Sequence, residues 1–302
     1  MKQLDLLIRS LGKFGLWLNA ALGFAFLYLP IFILVIYSFN NSRFNAIWRG
    51  FTLDWYRNLL QGATNDTITD VMIWEALKNS LFVAVISTII ATIFGTMIAL
   101  ALERFRFPGR TVLEAILFLP IIIPEITIGL SLLVFFSLSF QLIENFLGIR
   151  LVLGLPTVII GHIAFCISFV VVTVRARVAE LDPALEEAAL DLGANEWRTF
   201  FRITLPLIWP GIFSAALLAF TLSLDDFVIT FFTAGVGSTT LPLFVYGMIK
   251  FSVTPAINAI STLMLIASLM LVISVLFLEE LGNQKKHLIF NPVKYLLYEM
   301  GR

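Results

Sequence analysis

RARVAELDPALEEAALDLGANEWRTFFRITLP, residues 175–206, decides the fold through its own content and through what lies on either side of it. Before it runs Leu155–Val174, an apolar segment interrupted only by His162. After it runs Leu207–Phe232, apolar except for the pair Asp225-Asp226. A helix needs about 20 predominantly apolar residues to cross a hydrocarbon core of about 30 Å, and both flanks meet that requirement. The stretch between them carries Glu180, Asp182, Glu186, Glu187, Asp191 and Glu196 against Arg175, Arg177, Arg198 and Arg202. It is a charged loop joining two membrane spans.

Four more segments of membrane length lie further out. Leu16–Phe39, Ser80–Leu102 and Ile257–Leu278 have no charged residue, and Ala115–Phe140 is interrupted by Glu125. The first apolar run exceeds the usual 7–15-residue core of a signal peptide and no A-x-A-like site follows it, so it reads as a retained span. All six are expected to be helices, because lipid cannot satisfy an open sheet edge or an irregular loop. Pro120 and Pro124 in the third predict a bent or broken helix there. The fold class is an all-α polytopic membrane protein.

Composition agrees. The 302 residues are 59% hydrophobic and 13% charged, against roughly 45–50% and about 25% in soluble chains. Mean hydropathy is +0.96. Twenty bases balance 20 acids, which excludes a basic stripe for nucleic acid. Cys166 is the one cysteine, so neither an intramolecular disulfide nor a Cys-based zinc site is available. His162 has only Cys166, one turn on, as a possible co-ligand, and packing or an interhelical hydrogen bond explains it better than a metal.

Placement of Lys and Arg sets the orientation. Lys2, Arg9, Lys13, Arg104, Arg106, Arg110, Arg175, Arg177, Arg198, Arg202, Lys285, Lys286, Lys294 and Arg302 fall on one side, which is then the cytoplasm. Both termini are expected inside: a tail at 1–15, a six-helix domain at 16–278 and a second tail at 279–302. Trp48, Trp55, Tyr56 and Trp74 in the long outer loop suit interfacial anchoring or the docking of an outside partner.

Within the charged loop, Asp182-Pro183 predicts a helix start and Gly193 its left-handed end. A second short helix begins near Asn195 and is expected to stop at Pro206. Surface-anchoring helices are rich in Lys/Arg, whereas acids outnumber bases here, so a protein partner fits better than anionic lipid. Asp225 and Asp226 follow Pro210 by 15 and 16 residues, toward the outer half of a regular helix. An ionised Asp at a helix centre costs about 2.5–3.5 kcal/mol, so these acids and Glu125 face protein or water. Adjacent helical residues point about 100° apart, so one Asp lines a pathway while the other makes a structural hydrogen bond; the spacing leaves open which. Three intramembrane acids without an intramembrane base suit a cationic substrate; the alternative is structural pairing with a partner subunit. Asn258 is a polar contact or a pathway group.

Glu187-Ala188-Ala189, three residues, Gly193, nine residues, then Ile203-x-Leu205-Pro206 resembles the coupling-loop signature of ABC importer permeases. Tyr37-Ser38-Phe39-Asn40, Pro124-Glu125-Ile126 and Ser223-Leu224-Asp225-Asp226-Phe227 resemble the spermidine/putrescine permeases, and within them the second permease of the pair. Pro255-Ala256-Ile257-Asn258 departs by lacking the acid common there.

The resemblance implies a type I importer fold in a bacterial inner membrane and half of a heterodimeric pathway with a second permease. It also implies an extracytoplasmic substrate-binding protein and a cytoplasmic ATPase dimer that binds ATP and Mg; the chain has no G-x-x-x-x-G-K-[ST] loop. Within a coupling loop at 180–206, Glu187, Ala188, Ala189, Gly193, Ile203, Leu205 and Pro206 would couple to the ATPase. Asp225, Asp226, Glu125 and Asn258 would line the pathway. No cofactor, metal or covalent chemistry is expected in this chain. A permease for another solute would share the same loop, and an ion-gradient-driven transporter would more often carry repeated halves in one chain.

Overall fold

The computed structural model describes residues 2–42, 47–61, 68–251, 257–270 and 272–274. Among these, six helices are long and apolar enough to cross a membrane: Gly12–Tyr37, Val71–Arg104, Glu125–Leu147, Leu155–Ala179, Glu196–Asp225 and Ile257–Ser274. Each overlaps one of the six apolar runs. The expected tail at 279–302 and Pro255-Ala256 lie outside the described residues, whereas residues 2–15 belong to the same helix as the first span.

In chain order the helices are α1 (Lys2–Tyr37), α2 (Asp54–Gln61), α3 (Ile68–Arg104), α4 (Arg110–Ile122), α5 (Glu125–Leu147), α6 (Leu155–Ala179), α7 (Ala184–Asp191) and α8 (Glu196–Thr199). A π-helical turn (Phe200–Thr204), α9 (Leu205–Asp225), α10 (Val228–Thr233), α11 (Leu241–Phe251) and α12 (Ile257–Ser274) complete the series. The chain divides into two units, Met1–Asp70 with Met248–Met270, and Val71–Gly247 with Leu271–Arg302.

In the first unit, the α1 span buries none of its most apolar stretch within the chain. The loop after it folds around Asn40, which is fully buried. The Asn40 amide donates to the Ile47 carbonyl at 2.9 Å and accepts from the Arg49 N–H at 2.9 Å. Trp55 Nε1 donates to the Asn40 carbonyl at 2.9 Å, and Phe39 stacks on Phe51 with centroids 5.2 Å apart. Trp55 and Tyr56 thus build the loop's own interior, a role separate from interfacial anchoring.

The second unit has α6 at its centre. Val158, Cys166, Val170 and Val174 of α6 are fully buried, and α9 offers Ile208, Ile212, Ala215 and Ala219. The spacing of four, three and four residues puts these on one face, and the small alanines let the two backbones approach.

Two spans are interrupted. The third breaks at Ile123-Pro124: Ile123 is extended (φ −76°, ψ 138°), the conformation favoured before proline, and α5 begins at Glu125. Pro120 stays inside α4, so only one of the two prolines breaks the helix. The fifth is not the regular helix through Phe232 assumed from the spacing. α9 stops at Asp225, Asp226 is extended (φ −64°, ψ 127°), and α10 follows as a separate short helix.

Pro206 also departs from expectation. It sits in the first turn of α9, and the second loop helix runs through the π turn into the span instead of stopping. The Leu205 N–H reaches back five residues to the Phe200 carbonyl. That wider turn relieves the clash between a proline ring and the carbonyl four residues earlier.

Candidate functional site

The break after α9 gathers polar groups that are remote in sequence. Asp226 is buried, and its carboxylate accepts the N–H of Ile229 at 3.2 Å and of Thr230 at 2.9 Å. It therefore caps α10, whose first N–H groups have no intrahelical partner. Thr230 Oγ1 donates to the same carboxylate at 3.0 Å. His162 of α6 completes the set, with Nε2 3.1 Å from Asp226 Oδ2 and 2.9 Å from Thr230 Oγ1, and Nδ1 2.7 Å from Ser223 Oγ. A proton on Nε2 lets the ring donate toward Asp226, and Nδ1 pairs with the Ser223 hydroxyl. His162 is the interhelical hydrogen-bonding group expected of it.

The two aspartates differ in environment. Asp225, at the last residue of α9, is exposed, as is Glu125 at the first residue of α5. Glu125 lies within electrostatic reach of Asp225 and Asp226, so the three acids share one neighbourhood. Asp226 already has its hydrogen bonds within the chain; Asp225 and Glu125 present theirs outward.

An aromatic cluster begins at Phe227, the residue after Asp226. Phe227 lies 4.5 Å from Tyr246 between centroids and 5.6 Å from Phe231. α10 is seated closely between α5 and α6 because two glycines face it: a Cβ on Gly129 would lie 2.6 Å from a Phe232 ring carbon, and one on Gly161 2.8 Å from an Ile229 methyl. Asn258 belongs to the other unit, where it is buried and its carbonyl accepts the Thr262 hydroxyl at 2.7 Å.

The 175–206 loop forms the second part of the site. Asp182 Oδ1 accepts the Ala184 N–H at 3.0 Å just before α7, whose N-cap position is Pro183, and Asn195 caps α8 by accepting the Arg198 N–H at 2.9 Å. Gly193 has φ +85°, the left-handed region that favours glycine, and turns the chain between them. Glu187 and Ala188 are exposed while Ala189 is buried. Leu185, Leu190, Leu192, Trp197 and Phe201 form exposed apolar surface, with Trp197 stacked on Phe201. Ile203 and Leu205 are half-buried and Pro206 exposed.

Some members of the site carry little signal in the sequence. Ser223 and Thr230 flank Asp226 at i−3 and i+4, a spacing that could have flagged them, but nothing local links His162 to residues more than 60 positions away. Glu186, beside the signature, binds Arg104 through both carboxylate oxygens and accepts the Thr204 hydroxyl. The Arg104 guanidinium holds the Glu186 carboxyl below the usual carboxylate range, against the opposing effect of burial.

Residues 91–285 match the family described as binding-protein-dependent transport system inner membrane component. The spermidine/putrescine transport system permease protein PotC of Escherichia coli (strain K12) is 41% identical over 251 residues, 83% of this chain and 88% of the relative. The putrescine transport system permease protein PotI of the same strain is 42% identical over 245 residues, 81% and 83% of the two chains. A crystal structure of a bacterial ABC transporter involved in the import of the acidic polysaccharide alginate superposes with a TM-score of 0.69 at 18% identity, covering 94% of this chain and 99% of that one. The likeness to that structure concerns the fold alone, since a shared fold hosts different substrates. With the loop, the six spans and these relatives together, the chain belongs to the binding-protein-dependent transport system inner membrane components.

Proposed function

We propose that this chain is the transmembrane subunit of an ATP-driven importer for putrescine, spermidine or a related cation. It forms half of a heterodimeric pathway with a second, homologous permease. An extracytoplasmic binding protein delivers substrate, a cytoplasmic ATPase dimer binds ATP and Mg, and both termini of this chain lie in the cytoplasm of a bacterium. The observation that carries the substrate class is the pair of exposed acids, Asp225 and Glu125, at two helix breaks. An ammonium group gains from a carboxylate at low dielectric. The names of the relatives at 41–42% identity support the same class.

Coupling runs through the loop. The apolar surface of Leu185, Leu192 and Trp197 seats in a cleft of the ATPase, with Glu187, Ala188, Ala189 and Gly193 setting its shape and Ile203, Leu205 and Pro206 joining it to the fifth span. ATP binding closes the ATPase pair, the loop moves with it, and the site opens outward. Hydrolysis resets it. Asp226 holds a pathway wall in place through the hydrogen bonds it makes within its own unit.

The test is uptake of labelled putrescine and spermidine by the complete complex in proteoliposomes. Asp225→Asn and Glu125→Gln should each raise the half-saturating substrate concentration by about tenfold or more, the size of a lost charge-assisted contact. Assembly should be unaffected. Unchanged uptake in both variants, or a binding protein that retains no polyamine, overturns the substrate assignment.

A further inference from the structure

One carboxylate joins three elements of the loop region. Glu186, in the first turn of α7, is gripped by both terminal nitrogens of Arg104, the last residue of α3, and accepts the hydroxyl of Thr204, the last residue of the π turn. The side chains of both charged residues are partly shielded. Glu186 and the buried Ala189 share the inward face of α7, while Glu187 lies exposed beside them.

The covalent path gives this contact its importance. From α7 to the fifth span the chain passes through the left-handed turn at Gly193, the four-residue α8 and the π turn. Two of these are non-standard backbone turns, and a displacement of α7 transmitted only through them would be absorbed by changes in φ and ψ. The Glu186–Thr204 contact bypasses both. The Glu186–Arg104 contact reaches α3, which lies 82 residues away in sequence.

The end of α3 is itself held from the other side. Glu103 accepts from Arg175 Nε of α6 at 3.0 Å, and the same guanidinium lies 3.2 Å from Glu114 of α4. Two adjacent residues of opposite charge therefore tie the last turn of α3 to different neighbours, Glu103 to α6 and Arg104 to α7. Isolated, partly exposed ion pairs contribute little to stability. Their placement at a junction constrains register instead.

We infer that Arg104, Glu186 and Thr204 form a clasp that makes α7, the end of α3 and the start of the fifth span move as one body, with Arg104 and Glu186 as positioning residues for coupling. The inference rests on the reading of the 175–206 loop as the part that seats in the ATPase, and it adds a route from that loop to the second span.

Two measurements on the assembled complex with its second permease, ATPase and binding protein test it. The first uses spin labels at two exposed positions, Phe105→Cys at the end of α3 and Ala184→Cys at the start of α7, in a Cys166→Ala background. Their separation should be the same without nucleotide and with ATP and vanadate, and should broaden and become nucleotide-dependent in Glu186→Gln and Arg104→Gln. The second counts putrescine molecules imported per ATP hydrolysed. That ratio should fall by about tenfold in either single variant, a typical size for a broken coupling interaction. It should recover in large part in the charge-reversed pair Arg104→Glu with Glu186→Arg.

A label separation that already changes with nucleotide in the unsubstituted clasp overturns the inference. So does a normal import ratio in the single variants, even if less complex assembles, because the clasp then serves stability alone. Glu187→Ala separates the two readings. If it lowers the ratio while the clasp variants do not, only the clasp falls; if neither does, the coupling assignment of the loop falls with it. Should putrescine not be carried at all, the label measurement still decides the clasp.

Discussion

Asp225 and Asp226 are chemically identical neighbours with opposite assignments, and the difference is geometric. Once α9 ends at Asp225, the next residue becomes the cap of α10, and burial against His162 ties its carboxylate to α6. An uncompensated carboxylate in that place would be costly, so the hydrogen bonds from Ile229, Thr230 and His162 are what allow it to be there. Glu186 shows the same logic at the loop. Its acidity is raised by Arg104, so its folded-state pKa lies below the ordinary 4.5. The clasp therefore adds a small stabilisation above that value and loses it as pH falls through the lowered one. Detergent-solubilised protein should melt higher than Glu186→Gln at neutral pH, and the gap should close below about pH 4.5. A gap that persists undiminished at lower pH would show that the carboxylate is not ionised in the clasp. Both residues were present in the sequence as acids, but their long-range partners, His162 for Asp226 and Arg104 for Glu186, lie 64 and 82 positions away.

At the scale of elements, breaks do the positioning. Pro124 interrupts the third span and brings Glu125 to a helix start; the capping carboxylate of Asp226 interrupts the fifth and leaves Asp225 at a helix end. Breaks of this kind, at membrane depth, are tolerated where they line a cavity or are buried in protein. The first was legible, because proline has a local steric consequence. The second was not, because aspartate within an apolar run carries no breaking signal until α10 has a place to go. That place is made by Gly129 and Gly161. Gly161→Val should push Ile229 outward and destabilise the protein by about 1–3 kcal/mol, as overpacking does elsewhere. A lowered melting temperature with α10 displaced from α6 is the expected result, and an unchanged one would mean that α10 yields freely. Pro206 gives the converse lesson: a residue that usually ends helices is accommodated by a π turn, and the loop runs continuously into the span.

For the whole molecule, charge placement predicts topology. Labelling of single cysteines near residues 10 and 150 by a membrane-impermeant thiol reagent in intact cells should modify only the second, once Cys166 is replaced; modification of the first would reverse the orientation. Six spans, their rough limits, the capped helix pair and the left-handed glycine between them were determined by the sequence alone, since hydrocarbon thickness, capping groups and glycine act within a few residues of where they are read. Only the tertiary structure decided which acid is buried and which is presented, where the fifth span stops, and that Glu186 rather than its neighbour Glu187 ties the loop to α3. The physical reason is that a buried or paired charge is fixed by the partners that compensate it, and those arrive from other helices.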